Sequence, residues 1–276
     1  MTAADVDVER SICTTGTPTS EETRNCYMDD TPVWHENPEF WAAFRDFMFP
    51  PEKHEEAPAE VDRLLDLADV ESRGRVLDVP CGVGRHAVSL AKRGFRVTAV
   101  DATDTYLESA RAHAEDAGVD VEFVHEDMRS FRRDETFDAV LNLYTSFGYF
   151  EDREDDERTA RNFYESLKPD GTLVMSLAGK EVMARKFEER SWEERDGAYI
   201  LEHREVTDDW SWMTSRWHLV VDGEVREFTV SHRLYSAYEL SELLHCVGFS
   251  DVSAYGDMEG APYDTDAERL VIVAEK

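Results

Sequence analysis

The chain has 276 residues, enough to bury one large core, and carries 61 Asp and Glu against 30 Lys and Arg for a formal net charge of -31. At 41% hydrophobic and 11% aromatic residues it is too apolar for a disordered acidic chain, so the carboxylates must coat a folded surface. This balance excludes nucleic acid as the main partner, since no Lys/Arg cluster is present to displace counterions, and it suits a salt-rich cytoplasm where charge is screened within roughly 3 Å at 1 M.

Neither a membrane span nor a signal peptide is expected, because no long apolar run and no basic-then-apolar leader is found. Cys13, Cys26, Cys81 and Cys246 are scattered without a CxxC pair, which points to a reduced cytoplasmic protein with no metal. Residues 1–33 carry Thr, Ser, Asp and Glu without periodicity and are expected to form a flexible acidic arm. Residues 34–72 turn aromatic and helical. Phe40, Trp41, Phe44, Phe47 and Met48 recur at three- and four-residue steps until Pro50-Pro51 stops them, and Val61, Leu64, Leu65 and Leu67 mark a second helix over 59–68. This segment is expected to serve as a lid.

Residues 73–179 alternate strand, turn and helix, with strands at 75–79, 96–100, 121–125, 138–144 and 172–177 and helices at 84–93, 104–117 and 156–167. Asp104 reads as an N-cap and Gly118 as a C-terminal stop. The rhythm predicts an α/β fold, a doubly wound parallel sheet with helices on both faces. Residues 180–235 change to alternating, aromatic segments at 199–206, 210–221 and 225–234 with an Asp222-Gly223 turn, which predicts an inserted antiparallel β subdomain. Residues 236–276 return to a helix at 237–246, ended by Gly248, and to strands at 250–255 and 269–274.

The first strand runs into Asp78-Val79-Pro80-Cys81-Gly82-Val83-Gly84-Arg85-His86-Ala87. Gly82 and Gly84 permit a tight turn and close backbone approach to a ligand, and the helix that follows offers free N–H donors. The spacing also satisfies a dinucleotide fingerprint, so an NAD-dependent oxidoreductase stays open on glycine positions alone. A carboxylate at Asp78 would repel a pyrophosphate and suits a ligand bearing ammonium and sulfonium charge; the alternative is that it accepts N–H bonds within its own turn. Asp101 stands where an acid grips ribose hydroxyls, or else it caps its loop. Asp127 can accept an adenine amine while Met128 packs on the ring, or it is a loop residue only. Asn142, Tyr144, Thr145, Phe147 and Tyr149 follow strand four at the carboxyl edge where open α/β sheets bind ligands; Asn142 and Tyr144 are expected to face the ligand, with packing as the alternative for the aromatic residues. Trp192, Trp210, Trp212 and Trp217 either roof a pocket or form a packed face.

The stretch from Arg75 to Leu177, with Val-Leu-Asp-Val-Pro-Cys-Gly-Val-Gly-Arg-His, Val-Asp-Ala, Glu-Asp-Met and Phe-Asp-Ala-Val-Leu-Asn-Leu-Tyr-Thr-Ser-Phe-Gly-Tyr-Phe, resembles the small-molecule branch of the class I S-adenosylmethionine-dependent methyltransferases. Arg233-Leu234-Tyr235, Val247-Gly248-Phe249 and Tyr255-Gly256-Asp257 extend the likeness towards the end of the chain, and the acidity resembles a salt-adapted, haloarchaeal-like member. The resemblance implies a Rossmann-like core from residues 73–179 and 236–276, with a seven-stranded, mostly parallel sheet whose last strand is antiparallel. It implies S-adenosylmethionine as cofactor, with Cys81, Gly82 and Gly84 at its methionine end, Asp101 and the adjoining Ala102 at its ribose, and Asp127 and Met128 at its adenine. Pro80 departs from the residue of many relatives and leaves the turn geometry open.

The implied reaction is in-line displacement at the methyl carbon by an O, N or C nucleophile of a small-molecule acceptor, with the inserted subdomain on the acceptor side. Tyr144, His232, Tyr235 and Tyr255 are the candidates if the acceptor needs a base; His203 and His218 share the inserted segment with His232. A non-catalytic cofactor-binding module also stays open. An exposed edge of the inserted sheet could pair with a second copy to give a homodimer.

Overall fold

Val, Leu and Ala fill the strand stretches on both faces, and such strands are satisfied only inside a sheet covered on both sides. In the computed structural model, which describes residues 33–70 and 73–276, the elements run α1 (Pro38–Met48), α2 (Pro51–Leu67), β1 (Arg75–Asp78), α3 (Arg85–Lys92), β2 (Arg96–Asp101), α4 (Asp104–Ala117), β3 (Glu122–His125), β4 (Phe137–Asn142), α5 (Arg153–Ser166), β5 (Leu167–Leu177), α6 (Lys180–Lys186), β6 (Arg190–Arg195), β7 (Ala198–Val206), β8 (Trp212–Val221), β9 (Glu224–Arg233), α7 (Ala237–Val247), β10 (Asp251–Tyr255) and β11 (Leu270–Glu275). The expected arm, with Cys13 and Cys26, lies outside the described residues except for Val33.

The main sheet has seven strands in the order β10-β11-β5-β4-β1-β2-β3. β1 to β5 are mutually parallel, and β11 inserts antiparallel between β5 and β10, as the resemblance implied. One face packs with α5 and α7 around Phe163, Leu240 and Leu244; the other packs with α2 and α3 around Val61, Leu64 and Leu90. Because order reverses between β1 and β4, the carboxyl ends of β1, β2 and β4 open a crevice there.

The inserted sheet is a separate four-stranded antiparallel meander, β6-β7-β8-β9. Its β8–β9 turn has Asp222 at φ 53° and Gly223 at φ 82°, a two-residue hairpin turn with both centres left-handed. The same device, Asp196-Gly197 at φ 52° and 79°, joins β6 to β7, a strand the sequence reading had not separated. The helix α6 ahead of it was also not anticipated.

The helical segment over 34–72 divides between the two sheets. α1 buries Phe40 and Phe44 against Ile200, Leu219 and Val230 of the inserted sheet, whereas α2 lies on the main sheet. α2 begins at Pro51, eight residues before the expected start, because a proline at the first helical position has its φ preset and loses no hydrogen bond there. The N-cap of α4 is Thr103 and not Asp104. Strand β4 stops at Asn142 because Tyr144 and Thr145 take φ 60° and 63°. Lys168-Pro169-Asp170-Gly171 forms a bulge at the start of β5, between the Leu167 and Thr172 pairings with β4.

Candidate functional site

The crevice at the strand ends is a cavity of about 380 Å³, closed on its far side by α1 and the inserted sheet. Gly82 lines it at φ +55°, and Gly84 stands behind it at φ +75°. A Cβ on Gly84 would come 2.8 Å from that of Ala110, so this glycine lets α3 pack against α4; a Cβ on Gly82 would meet the Phe49 ring at 3.0 Å. The Val79–Pro80 peptide in this turn is cis.

Asp101 carries the turn. Its Oδ2 accepts the Gly82 N–H at 2.8 Å and its Oδ1 that of Thr103 at 2.8 Å. Burial raises its carboxyl above the usual range, opposed by those two bonds. Ala102, Asp127 and Met128 also line the cavity. Asp127 is held by Arg129, which donates its backbone N–H and Nε to Oδ1 at 2.7 and 2.9 Å and Nη2 to Oδ2 at 2.7 Å.

Asp78 and Asn142 do not line the cavity, contrary to expectation. Asp78 is buried beneath the turn, its Oδ2 without a partner among the described residues; burial pushes its carboxyl up to about 7, the Asp101 charge adds to this, and Arg85 opposes it. Asn142 donates from Nδ2 to the Val79 carbonyl at 2.9 Å, bracing β4 against the end of β1, while its Oδ1 has no partner among the described residues. Cys81 lines the cavity at the turn, its thiol held well up by burial.

Tyr144 does line it, but not as a base. Its hydroxyl donates to Glu60, and the guanidinium groups of Arg85 and Arg269 lie 4.2 and 5.0 Å from the centre of its ring. Burial and the Glu60 carboxylate push its hydroxyl pKa up. Glu60 also accepts from Arg85 at 2.5 Å and His86 at 2.8 Å. Burial alone would raise the Glu60 carboxyl; the hydrogen bonds from His86 and Tyr144, with the Arg85 charge, bring it down to about 2. Burial lowers His86 to about 4, so the imidazole is neutral and donates its N–H to Glu60. Lys53, Arg85 and His86 open onto the cavity; the sequence reading includes Arg85 and His86 in the glycine-turn motif but gives none of the three a role. One signal was available: Ala57, Glu60, Val61 and Leu64 are the buried positions of α2, so Glu60 is an acid within an apolar stripe.

Of the other base candidates, only His232 reaches the cavity. Burial lowers its pKa to about 4, and its Nε2 has no partner among the described residues. Tyr235 is buried elsewhere and donates to Asp156 Oδ2 at 2.8 Å; Tyr255 packs on β10 in the core beneath α2. Both are set aside as bases. Of the inserted segment's Trp192, Trp210, Trp212 and Trp217, Trp217 alone lines the cavity, whereas Trp192 is 68% exposed. His203 and His218 lie beside Glu189 and Glu227 and not at the cavity.

Residues 76–171 match the family described as Methyltransferase domain. Over 230 residues the chain is 31% identical to a Geobacillus sp. (strain WCH70) protein assigned to the methyltransferases, covering 78% of this chain and 90% of that one. It is 28% identical to the glycine/sarcosine N-methyltransferase of Aphanothece halophytica, over 81% of this chain and 84% of the relative. The crystal structure of an S-adenosylmethionine-dependent methyltransferase from Clostridium acetobutylicum superimposes with a TM-score of 0.72 at 14% identity, covering 86% of this chain and 97% of that one.

The raised carboxyl of Asp78 makes a stability prediction. A buried acid lifted from 3.8 to about 7 keeps its proton in the folded state after the unfolded chain has lost it. Its contribution is complete below the unfolded value and is lost as pH rises through the folded one. The stability of the parent relative to Asp78→Asn should therefore fall from about pH 4 to about pH 8 in fixed salt, read as the difference of their urea midpoints, in which the opposing contributions of His86 and His232 cancel. A difference that stays constant across that range would contradict it.

Proposed function

The chain belongs to the class I S-adenosylmethionine-dependent methyltransferase family, and we propose that it methylates an O, N or C nucleophile of a small molecule held between the strand ends and the inserted sheet. Membership removes the NAD-dependent oxidoreductase and favours an enzyme over a non-catalytic module. When bound, the cofactor supplies a methyl group already activated on a sulfonium, leaving as S-adenosylhomocysteine.

The residues present fit that cofactor. A glycine whose Cβ would strike Phe49 leaves a cradle for close backbone approach, and the lining supplies acids at Asp101, Glu126 and Asp127 and cations at Lys53 and Arg85, matching a ligand with charges of both signs. We read Cys81 and Gly82 as holding the methionine end, Lys53 and Arg85 as partners of its carboxylate, Asp101 and Ala102 as holding the ribose, and Asp127 and Met128 as holding the adenine. Asp78, Gly84 and Asn142 shape the turn from behind. The observation that carries this reading is the Asp101 clamp on Gly82, which sets the turn and the ribose acid in one rigid unit.

The rest of the chain orients the reactants and excludes water. Trp34, Trp41, Tyr149 and Phe150 roof the cavity, and α1 with the inserted sheet forms the lid on the acceptor side, while α2 belongs to the core wall. Tyr144 keeps its proton in the hydrogen bond to Glu60 and fixes the wall beside the glycine turn.

Titrating S-adenosylmethionine into the protein in molar KCl should give saturable heat, and Asp101→Ala should weaken binding at least about tenfold by releasing Gly82 and Thr103. With radiolabelled cofactor and a cell extract, label should appear in a small molecule. No heat in the unsubstituted protein, or label confined to macromolecules, would refute the assignment.

The excess of 61 acids over 30 bases supports a salt-adapted, cytoplasmic protein. Raising KCl from about 0.1 M to about 1 M shrinks the screening length from about 10 Å to about 3 Å, so the thermal midpoint should climb across that range. A flat or falling midpoint would count against salt adaptation. The exposed Trp192 on the β6 edge supports a homodimer, which sedimentation in the same salt series checks by mass.

A further inference from the structure

The charged groups around the cavity lie on one side. Lys53, Arg85, Asp101, Glu126 and Asp127 come from α2, the start of α3 and the ends of β2 and β3, the side read as the cofactor's. The opposite wall is built by α1 and the inserted sheet from Phe40, Trp41, Met48, Trp217, Val230 and His232, and among the described residues those elements bring no charged side chain to the cavity. A charge pressed against that wall would give up its hydration with no counter-charge in return.

The wall also brings polar side chains. His232 on β9 stands opposite Met213 of β8; its side chain borders the cavity, and its Nε2 is shielded from solvent with no hydrogen-bond partner among the described residues. The indole Nε1 of Trp217, farther along β8, is likewise buried without a partner among the described residues. Polar groups in a ligand cavity orient what binds there, and the imidazole of His232 is the hydrogen-bond acceptor that this wall brings to the cavity. Burial keeps the imidazole neutral, and a neutral imidazole carries one nitrogen with a free lone pair.

We infer that the methyl acceptor is an uncharged, flat, largely apolar molecule whose nucleophilic O–H or N–H donates a hydrogen bond to His232. The inference rests on the methyltransferase reading and narrows its acceptor class. Aromatic walls at Phe40 and Trp217 take the flat faces. A zwitterionic amino acid such as glycine does not fit, because its ammonium and carboxylate each need an opposite charge that this wall lacks. His232 is thus a specificity-determining residue.

The test is calorimetric titration of the full chain loaded with S-adenosylhomocysteine in molar KCl, with 2-naphthol and glycine as probes. We expect 2-naphthol to bind and glycine to give no heat. His232→Phe, which fills the site without an acceptor, should weaken 2-naphthol at least about tenfold; His232→Gln, whose amide oxygen can accept, should hold the loss to about threefold. Affinity for S-adenosylhomocysteine should be unchanged in both variants, which separates loss of this contact from loss of fold. Glycine binding in place of 2-naphthol, no heat from either probe, or equal 2-naphthol affinity in His232→Phe would overturn the inference while leaving the methyltransferase reading intact. Failure of the unsubstituted chain to bind S-adenosylhomocysteine would bring down both.

Discussion

The carboxylate of Asp101 accepts the N–H of Gly82 with one oxygen and the N–H of Thr103 with the other, tying the turn after β1 to the end of β2 and the start of α4. Both donors belong to segments with no regular hydrogen-bond ladder of their own at that point, so the side chain does there what a strand partner would do elsewhere. The glycine turn and the start of α4 are held beside the cavity by that clamp. With it in place, Gly84 can lie against Ala110 and the turn leaves Gly82 bare toward Phe49.

A second constraint fixes the wall beside the turn. Tyr144 and Thr145 both take left-handed backbone angles, a conformation that costs of order 1–3 kcal/mol per residue and that a β-branched residue rarely tolerates. Their side chains are held in return: the Tyr144 hydroxyl by Glu60, and Thr145 Oγ1 by the N–H of Ala178 at 2.9 Å and by Arg269 at 3.3 Å. Glu60 gathers Arg85, His86 and Tyr144 on one carboxylate, so α2, α3 and the segment after β4 share a single charged centre. Removing that carboxylate would strand a buried guanidinium, so the cluster acts as a unit and not as three separate contacts.

The third part joins the two sheets. α1 packs its buried face onto the inserted sheet through Phe40 and Phe44, while the Trp41 carbonyl accepts the Tyr106 hydroxyl of α4 at 2.9 Å. The Trp34 indole donates to the Ser231 carbonyl at 2.7 Å, and Arg195 donates to that of Phe47 at 2.9 Å. α1 therefore spans from the core to the inserted sheet across the cavity mouth. The result is a site with charged groups on the strand-end side and aromatic groups on the other, a division suited to a charged cofactor and an uncharged partner.

Local order in the chain determined the alternation of strands and helices, the two glycines of the first turn and the Asp222-Gly223 hairpin. Each of these depends on near neighbours: side-chain periodicity, backbone freedom at a single residue, or a two-residue turn. The same logic located Asp101, Asp127 and Met128 at strand ends, where they line the cavity. It failed for Asp78, Asn142, Tyr235 and Tyr255, because which way a side chain at a strand end turns depends on elements distant in sequence. It also missed Glu60, Arg85 and Lys53, which meet only when α2 folds against α3. The composition of the cavity's far wall was likewise decided by tertiary structure alone: Phe40 and His232 are 192 positions apart in the sequence, and only the packing of α1 on the inserted sheet brings them and Trp217 to one cavity.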